Sequence, residues 1–345
     1  MALTLALVSF SCTGPIVGTL IVQAANSGGI APIIGMLGFS LAIALPFTFF
    51  AAFPGYLNSL PKSGGWLNSV KVVLGFLELA FAFKFLSMAD MVVPLHLLER
   101  ELFIAIWVVI FGALGFYLLG KIRLPHDAPI DRLPVSRLVL GLITLAFTLY
   151  MLPGIWGAPV KLISGFPPPR EYSEAGVPQF NQQKTTGDFS QIPNTHIGPQ
   201  GILAFDDYNL ALDYAKKVNK PLLLDFTGKA CVNCRKMEEN VWSNPEIASI
   251  IAEQYVLVSL YVDLRVELPK DQQYISPATG KEIITVGNKW SDFQMSRFGK
   301  NSQPYYVLIN LNEEQLAPAR AYNLSIPEYL EWLKSGIDKF KHSKN

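Results

Sequence analysis

Long apolar segments dominate the first half of the chain, and no Asp, Glu, Lys or Arg occurs before Lys62. A helix that crosses a bilayer takes about 17 to 25 mostly apolar residues. Five segments meet that length, at about residues 2–24, 30–53, 67–88, 102–119 and 138–156. The pattern therefore predicts a polytopic α-helical membrane domain of five spans over residues 1–157.

The charges between these segments predict an orientation. Positive residues accumulate in or beside the second and fourth connections, and such residues mark the cytoplasmic side of a membrane. They are Lys62, Lys71, Lys121, Arg123, Arg132 and Arg137. We therefore expect the N-terminus to be cytoplasmic. Because the number of predicted spans is odd, everything after Trp156 is expected on the opposite side, where disulfides form and persist.

Residues 158–200 change character to Pro, Gly and polar residues without a hydrophobic period, which predicts a linker that lets a tethered domain visit several partners. Residues 201–345 then show the periods of an α/β domain. Helices are predicted over 207–217, from Cys231 to Val241, from Asn244 to Ile251 and from a capping box at Ser325 and Glu328. Strands are predicted over 222–226 and 255–262, with a hairpin of 305–309 and 316–321, whereas 264–290 is a polar excursion without a strong period.

A pair of cysteines, Cys231 and Cys234, directly follows the apolar run at 221–226. A CxxC pair at a strand-to-helix turn is typical of a thioredoxin-like redox site. The first sulfur then lies at a helix N-terminus, which favours the thiolate. We therefore predict that Cys231 is the nucleophile and Cys234 the buried resolving thiol.

Three further residues complete the predicted site. Asp225 is charged within a buried strand, which is costly unless the carboxyl has a use, and a proton acceptor beneath Cys234 is the predicted use. Glu238, one turn after Cys234, is predicted to share that proton, although a solvated helix face is the alternative. Pro304 precedes a strand at the position where thioredoxin-like folds carry a cis-proline that leaves backbone free to pair with substrate; a proline that merely starts an edge strand is the alternative.

The amino-acid composition limits the class of protein and the kind of site. The chain is 50% hydrophobic and 16% charged, which is too apolar for an ordinary soluble protein, and a net charge of +1 gives no indication of nucleic-acid binding. A zinc site is disfavoured because the soluble half has two cysteines and its histidines, His196 and His342, lack ligand spacing.

The charged residues Lys229 and Arg235, on either side of the dithiol, either stabilise a thiolate or are plain surface charge. No role is assigned to Glu78 or Lys84, which are expensive in lipid.

The third cysteine, Cys12, lies in the first apolar segment, where Cys12-Thr13-Gly14-Pro15 interrupts a membrane helix and makes the thiol reachable. A small buried hydrophobe is the alternative for this residue. A cleaved signal that ends at Cys12 is disfavoured, because the segment lacks a basic N-terminal region.

Taken with Leu60-Pro61-Lys62-Ser63-Gly64-Gly65-Trp66 and the run from Leu224 to Glu238, this motif resembles DsbD-type transmembrane thiol:disulfide interchange proteins over nearly the whole chain. The resemblance implies that Cys12 is the second of two membrane cysteines, that Cys231 and Cys234 form the C-terminal dithiol and that Asp225 and Glu238 are its acidic pair. It implies no bound cofactor. The family's membrane domain has eight spans and another cysteine, so we expect this sequence to be a fragment or to be completed by another polypeptide.

The resemblance implies that electrons pass from cytoplasmic thioredoxin through the bacterial inner membrane to periplasmic disulfide-bearing proteins or a periplasmic reductase domain. Reductant supply for cytochrome c maturation is the alternative within redox chemistry. A membrane-anchored peptide-binding or chaperone module with a structural disulfide is the alternative from another class.

Overall fold

A computed structural model of the chain describes residues 31–52, 65–125, 127, 133–158, 160–173 and 194–342. It divides into two compact units, Met1–Ser69 and Val70–Asn345. In the first, helix α1 (Ala31–Ala52) coincides with the second predicted span, and its described apolar side chains, such as Ile34 and Leu37, are exposed.

Within the described ranges, three helices are long and apolar enough to cross a membrane: α2 (Gly65–Val92), α3 (Arg100–Leu118) and α4 (Val135–Met151), which continues as a 3₁₀ turn to Trp156. Their bounds agree with the last three predicted spans. The predicted first span and Cys12 lie outside the described residues, and α1 has a described apolar stretch of only Ile33–Ala42. The total of five spans therefore stays a prediction.

Helices α3 and α4 approach each other closely because glycine stands at the contact. A Cβ atom at Gly115 would lie 2.6 Å from Leu145 Cδ2, and one at Gly141 would lie 2.9 Å from Leu119 Cδ2. Other apolar side chains of these helices, including Val109 and Leu142, remain exposed. An exposed apolar face on a helix of this length fits contact with lipid.

Residues 160–173, which we name the bracket, fall within the predicted linker but are packed. Pro167, Pro168 and Pro169 are buried, and the Lys84 ammonium donates a hydrogen bond to the Phe166 carbonyl at 2.7 Å. The buried amine of α2 thereby has a hydrogen-bond partner in the bracket. The predicted domain boundaries remain predictions, but this part of the linker is an ordered contact.

The second part of the Val70–Asn345 unit is an α/β fold around a six-stranded mixed sheet in the order β1-β2-β4-β3-β7-β8. Its central strands β3 and β4 run parallel, and β7 is antiparallel to β3 with Phe226 opposite Tyr305. A separate hairpin is formed by β5 and β6. The strands are β1 (Thr195–Ile197), β2 (Leu203–Phe205), β3 (Leu222–Thr227), β4 (Val256–Tyr261), β5 (Tyr274–Ile275), β6 (Glu282–Ile283), β7 (Tyr305–Ile309) and β8 (Arg320–Ala321).

Helices cover both faces of this sheet. Side chains alternate along β3, so that Leu223 enters one apolar cluster, with Met237 and Trp242, while Leu224 and Phe226 enter the other. The helices are α5 (Tyr208–Val218), α6 (Val232–Asn240), α7 (Pro245–Gln254), α8 (Val286–Phe298) and α9 (Ile326–His342).

Most predicted elements of this domain are confirmed, and the differences have local causes. Helix α8 lies partly inside the predicted polar excursion; its apolar residues are sparse, but Trp290 is buried against the sheet. Strand β1 falls in the predicted linker, because three residues are too short to show a period. At the start of α9, Glu328 accepts a hydrogen bond from the Asn323 side chain instead of closing the predicted box with Ser325.

Candidate functional site

The two cysteines lie at the N-terminus of α6 and form a disulfide. Their Cα atoms are 5.3 Å apart, and Cys231 is the N-cap residue, whose sulfur accepts a hydrogen bond from the Cys234 amide at 3.1 Å. Cys234 is buried, whereas Cys231 is partly exposed. Of the two cysteines, only Cys231 is thus partly open to solvent, and the roles of nucleophile and resolving thiol stay predictions.

Asp263 positions the turn that leads into the dithiol, and the sequence analysis missed it. Its carboxylate accepts hydrogen bonds from the Lys229 and Ala230 amides at 2.8 and 2.9 Å. A Cβ atom at Gly228 would lie 2.7 Å from an Asp263 oxygen, so the turn requires glycine there. The available signal was its position two residues after the end of β4, which lies beside the end of β3.

Asp225 lies in the middle of β3 and is 2% exposed. It alternates with Leu224 and so faces the same side as Leu223, the side on which Met237 of α6 packs. The structure therefore places this carboxyl beneath the dithiol helix. Burial raises its pKa to about 7, although Arg235 acts in the opposite direction. Among the described residues, one of its oxygens has no hydrogen-bond partner.

Glu238 is also buried, and the alternative of a solvated helix face is wrong. Its carboxylate lies 2.7 Å from the Arg235 guanidinium. Burial raises the pKa of the Glu238 carboxyl well above its ordinary value, while Arg235 lowers it. The structure thus gathers Asp225 and Glu238 on the inner side of α6 as two carboxyls with raised proton affinity, a common property of functional sites.

Arg235 is the residue whose importance the sequence least revealed. It is 4% exposed and lies between Glu238 and Glu171, whose carboxylate is 3.3 Å from the guanidinium. Glu171 belongs to the bracket, 64 residues away along the chain, and no local pattern announced it. Burial alone would raise the pKa of the Glu171 carboxyl. The positive charges of Arg235 and Lys229 outweigh burial, so the net shift of this pKa is downward.

Lys229 precedes the dithiol by two residues and is partly buried. Its ammonium lies 3.7 Å from the centre of the Tyr261 ring, a cation–π contact. Burial lowers its pKa, although Glu171 counteracts that effect. The side chain is therefore held in place instead of being plain surface charge.

Pro304 is buried, and the Gln303–Pro304 peptide bond is cis, as predicted. It directly precedes Tyr305, which pairs with Phe226 near the end of β3, so it lies at the edge of the sheet from which the chain turns into the dithiol. Its role in binding substrate stays a prediction. So does the role of Cys12, which lies outside the described residues.

This arrangement has the parts that thiol–disulfide exchange requires. One cysteine is partly exposed at a helix N-terminus, the other is buried, and buried carboxyls of raised pKa lie on the inner side of the same helix. In the part of the chain that the structure describes, no group of three or more His, Cys, Asp or Glu side chains could hold a metal ion.

A family model described as thioredoxin-like matches residues 203–279. Curated relatives match more of the chain. The thiol:disulfide interchange protein DsbD of Vibrio vulnificus strain YJ016 is 24% identical over 290 residues, which are 83% of this chain and 42% of that protein. DsbD 1 of Pseudomonas aeruginosa PAO1 is 25% identical over 70% of this chain and 36% of its own. DsbD of Escherichia coli K12 is 25% identical over 73% of this chain and 37% of its own.

The chain thus spans about two fifths of the length of these relatives. Among solved structures, a thioredoxin from Thermus thermophilus matches at 18% identity with a TM-score of 0.30, covering 40% of this chain and 89% of that one. The thioredoxin-like assignment rests on the family model and on the strand, dithiol helix and cis-proline described above.

Proposed function

Starting from the relationship of this chain to the DsbD-type thiol:disulfide interchange proteins, we propose that it is a thiol:disulfide oxidoreductase. It relays reducing equivalents across the bacterial inner membrane to disulfides of periplasmic proteins, and Cys231 and Cys234 are the exchanging pair. The observation that carries the proposal is a partly exposed cysteine at the N-terminus of α6 combined with a buried cysteine partner and buried carboxyls on the inner side of the same helix.

Reduction of the pair begins when a donor thiolate attacks the exposed sulfur of Cys231. The bond between the two cysteines breaks, and Cys234 leaves as a thiolate that takes a proton from Asp225 or Glu238. A second donor thiolate attacks the donor sulfur of the mixed disulfide and releases Cys231. The donor pair is thereby oxidised, and the chain gains two electrons as a dithiol.

Delivery reverses these steps on an acceptor. The Cys231 thiolate attacks the acceptor disulfide, and one acceptor thiolate leaves. Asp225 then accepts the proton of Cys234, whose thiolate attacks Cys231 and releases the second acceptor thiol. A carboxyl whose pKa is near 7 suits both directions, because it can donate or accept a proton close to neutral pH.

We propose that Cys12 supplies the electrons to the dithiol. Cytoplasmic thioredoxin is the source of these electrons, and they reach Cys12 through exchange with a cysteine outside this sequence. The apolar helices fit insertion into a membrane. With the N-terminus in the cytoplasm and an odd number of spans, the dithiol lies in the periplasm, as exchange with periplasmic proteins requires. The cysteines carry the electrons, and the proposal includes no bound cofactor.

A peptide-binding module with a purely structural disulfide explains the site less well. A structural disulfide gives no reason to bury Asp225, because removing a carboxyl from water is unfavourable. The reduction potential separates the two functions, because structural disulfides lie below about −300 mV and exchanging ones lie higher.

The test uses two substitutions in the full chain. Cys231→Ser abolishes reduction of periplasmic acceptor disulfides and forms no mixed disulfide. Cys234→Ser also abolishes turnover, but it traps acceptors on Cys231, where mass spectrometry identifies them and distinguishes general substrates from components of cytochrome c maturation. A Cys231→Ser chain that reduces acceptors at the original rate contradicts the proposed function.

A further inference from the structure

The bracket is anchored at the ends of the membrane helices. The Tyr172 hydroxyl donates a hydrogen bond to the Asp90 carboxylate at 2.9 Å, and the Arg100 amide donates to the Tyr172 carbonyl at 3.0 Å. Together with the bond from Lys84 to the Phe166 carbonyl, these contacts hold the bracket in its middle and near its C-terminal end. Its side chains therefore have fixed positions relative to α2 and α3.

The opposite side of the bracket contacts the dithiol helix. Gly165 lies so close to Val232 that a Cβ atom there would be 2.5 Å from the Val232 side chain. Glu171 reaches Arg235, which in turn contacts Glu238. The three charged side chains are 12%, 5% and 8% exposed, so water screens them little.

From these contacts we propose that Glu171 is a positioning residue for the dithiol: through Arg235 it determines how much positive charge acts on the Cys231 thiolate and on the carboxyls beneath it. The inference rests on the proposed function and adds a residue from outside the thioredoxin-like domain. It ties the electrostatics of the dithiol to a segment that is anchored on the membrane helices.

The direction of the effect follows from charge. Arg235 directly follows Cys234 and divides its hydrogen-bonding guanidinium between two carboxylates. When Glu171 loses its charge, the positive charge of Arg235 is less compensated. A nearby cation stabilises a thiolate, and stabilising the reduced form makes a dithiol–disulfide pair more oxidising. Consistently, the charge of Glu171 raises the pKa of both Asp225 and Glu238.

The experiment measures the redox equilibrium of the full chain in detergent against glutathione. Thiols are trapped by alkylation, and the peptide with Cys231 and Cys234 is quantified by mass spectrometry. We expect Glu171→Gln to shift the equilibrium constant about tenfold towards the dithiol, which corresponds to about 30 mV for a two-electron couple. Glu171→Asp keeps the charge and is expected within about twofold of wild type, as is the exposed control Glu253→Gln.

A second background tests whether the effect passes through Arg235. In an Arg235→Gln chain, Glu171→Gln is expected to add no further shift, as a double-mutant cycle shows for coupled residues. A Glu171→Gln chain with the wild-type constant overturns the inference alone, and so does a shift that persists without Arg235. A merely structural role lowers the unfolding temperature and leaves the constant unchanged. A wild-type chain that never exchanges with glutathione overturns both the proposed function and this inference.

Discussion

Replacing Asp225 by asparagine removes a charge that the fold buries almost completely. Asparagine has nearly the same size and keeps the shape of the β3 core, but it does not ionise. In the wild type, burial raises the pKa of this carboxyl to about 7 from an ordinary value of 3.8. Between these two values the folded chain binds more protons than the unfolded chain. Stability therefore falls as the pH rises, and the loss is complete above the folded pKa.

The magnitude follows from linkage. Each pKa unit corresponds to about 1.36 kcal/mol. The raised pKa of Asp225 therefore destabilises the fold by about 4 kcal/mol near pH 8, where the folded carboxyl is ionised, and by about 2 kcal/mol near pH 5, where the carboxyl must take up a proton on folding. The buried amide of asparagine adds a cost of its own, but that cost does not depend on pH. The advantage of Asp225→Asn over wild type is therefore expected to grow by about 3 kcal/mol from pH 5 to pH 8.

The assay compares the two chains, both oxidised and in detergent, by urea titration at each pH, with the folded fraction read by pulse proteolysis. Asp213→Asn, an exposed aspartate of α5, is the matched control for the same chemical change. A difference between Asp225→Asn and wild type that stays constant from pH 5 to pH 8 refutes the reasoning, because the buried carboxyl would then not titrate in this range.

Two further predictions concern the bracket. Gly165→Ala places a methyl group against Val232 and is expected to destabilise the contact with α6 by about 1–3 kcal/mol, measured as faster hydrogen exchange of the α6 amides. The control is Gly75→Ala, whose added methyl group has no atom of the described residues within 4 Å. Equal exchange in both variants contradicts the packing argument. Tyr172→Phe removes the hydrogen bond to the Asp90 carboxylate and is expected to weaken the anchor by about 1.5–3 kcal/mol. Its measurement is hydrogen exchange across residues 160–173, and unchanged protection there rejects the anchoring role.

The local sequence predicted an element correctly where the hydrophobic period and the capping or turn residues indicated the same element. The strand at 222–227, the helix that begins after Cys231 and the cap at Asn244 all form within two residues of their predicted positions. Short elements were harder to predict. Strand β1 has three residues and is held by pairing with β2, so no hydrophobic period within the strand could indicate it.

The candidate site shows the same division. Cys231 and Cys234 are visible in sequence because three residues suffice to place two sulfurs on one turn, and Asp225 is visible because a charge interrupts an apolar strand. The environment of Arg235 could not be predicted, because the sequence of a helix does not show which of its faces is covered by a tertiary neighbour. Burial made it a partner of Glu238 instead of a surface charge.

The sequence by itself determined the last three apolar spans, the dithiol, its acidic neighbours and the order of the thioredoxin-like elements, because each depends on interactions within a few residues. Only the tertiary structure decided that part of the predicted linker is a packed bracket and that Glu171 meets Arg235 across 64 residues. The physical reason is that an ion pair depends on distance in space and on the exclusion of water, and neither is written in the spacing of residues along the chain.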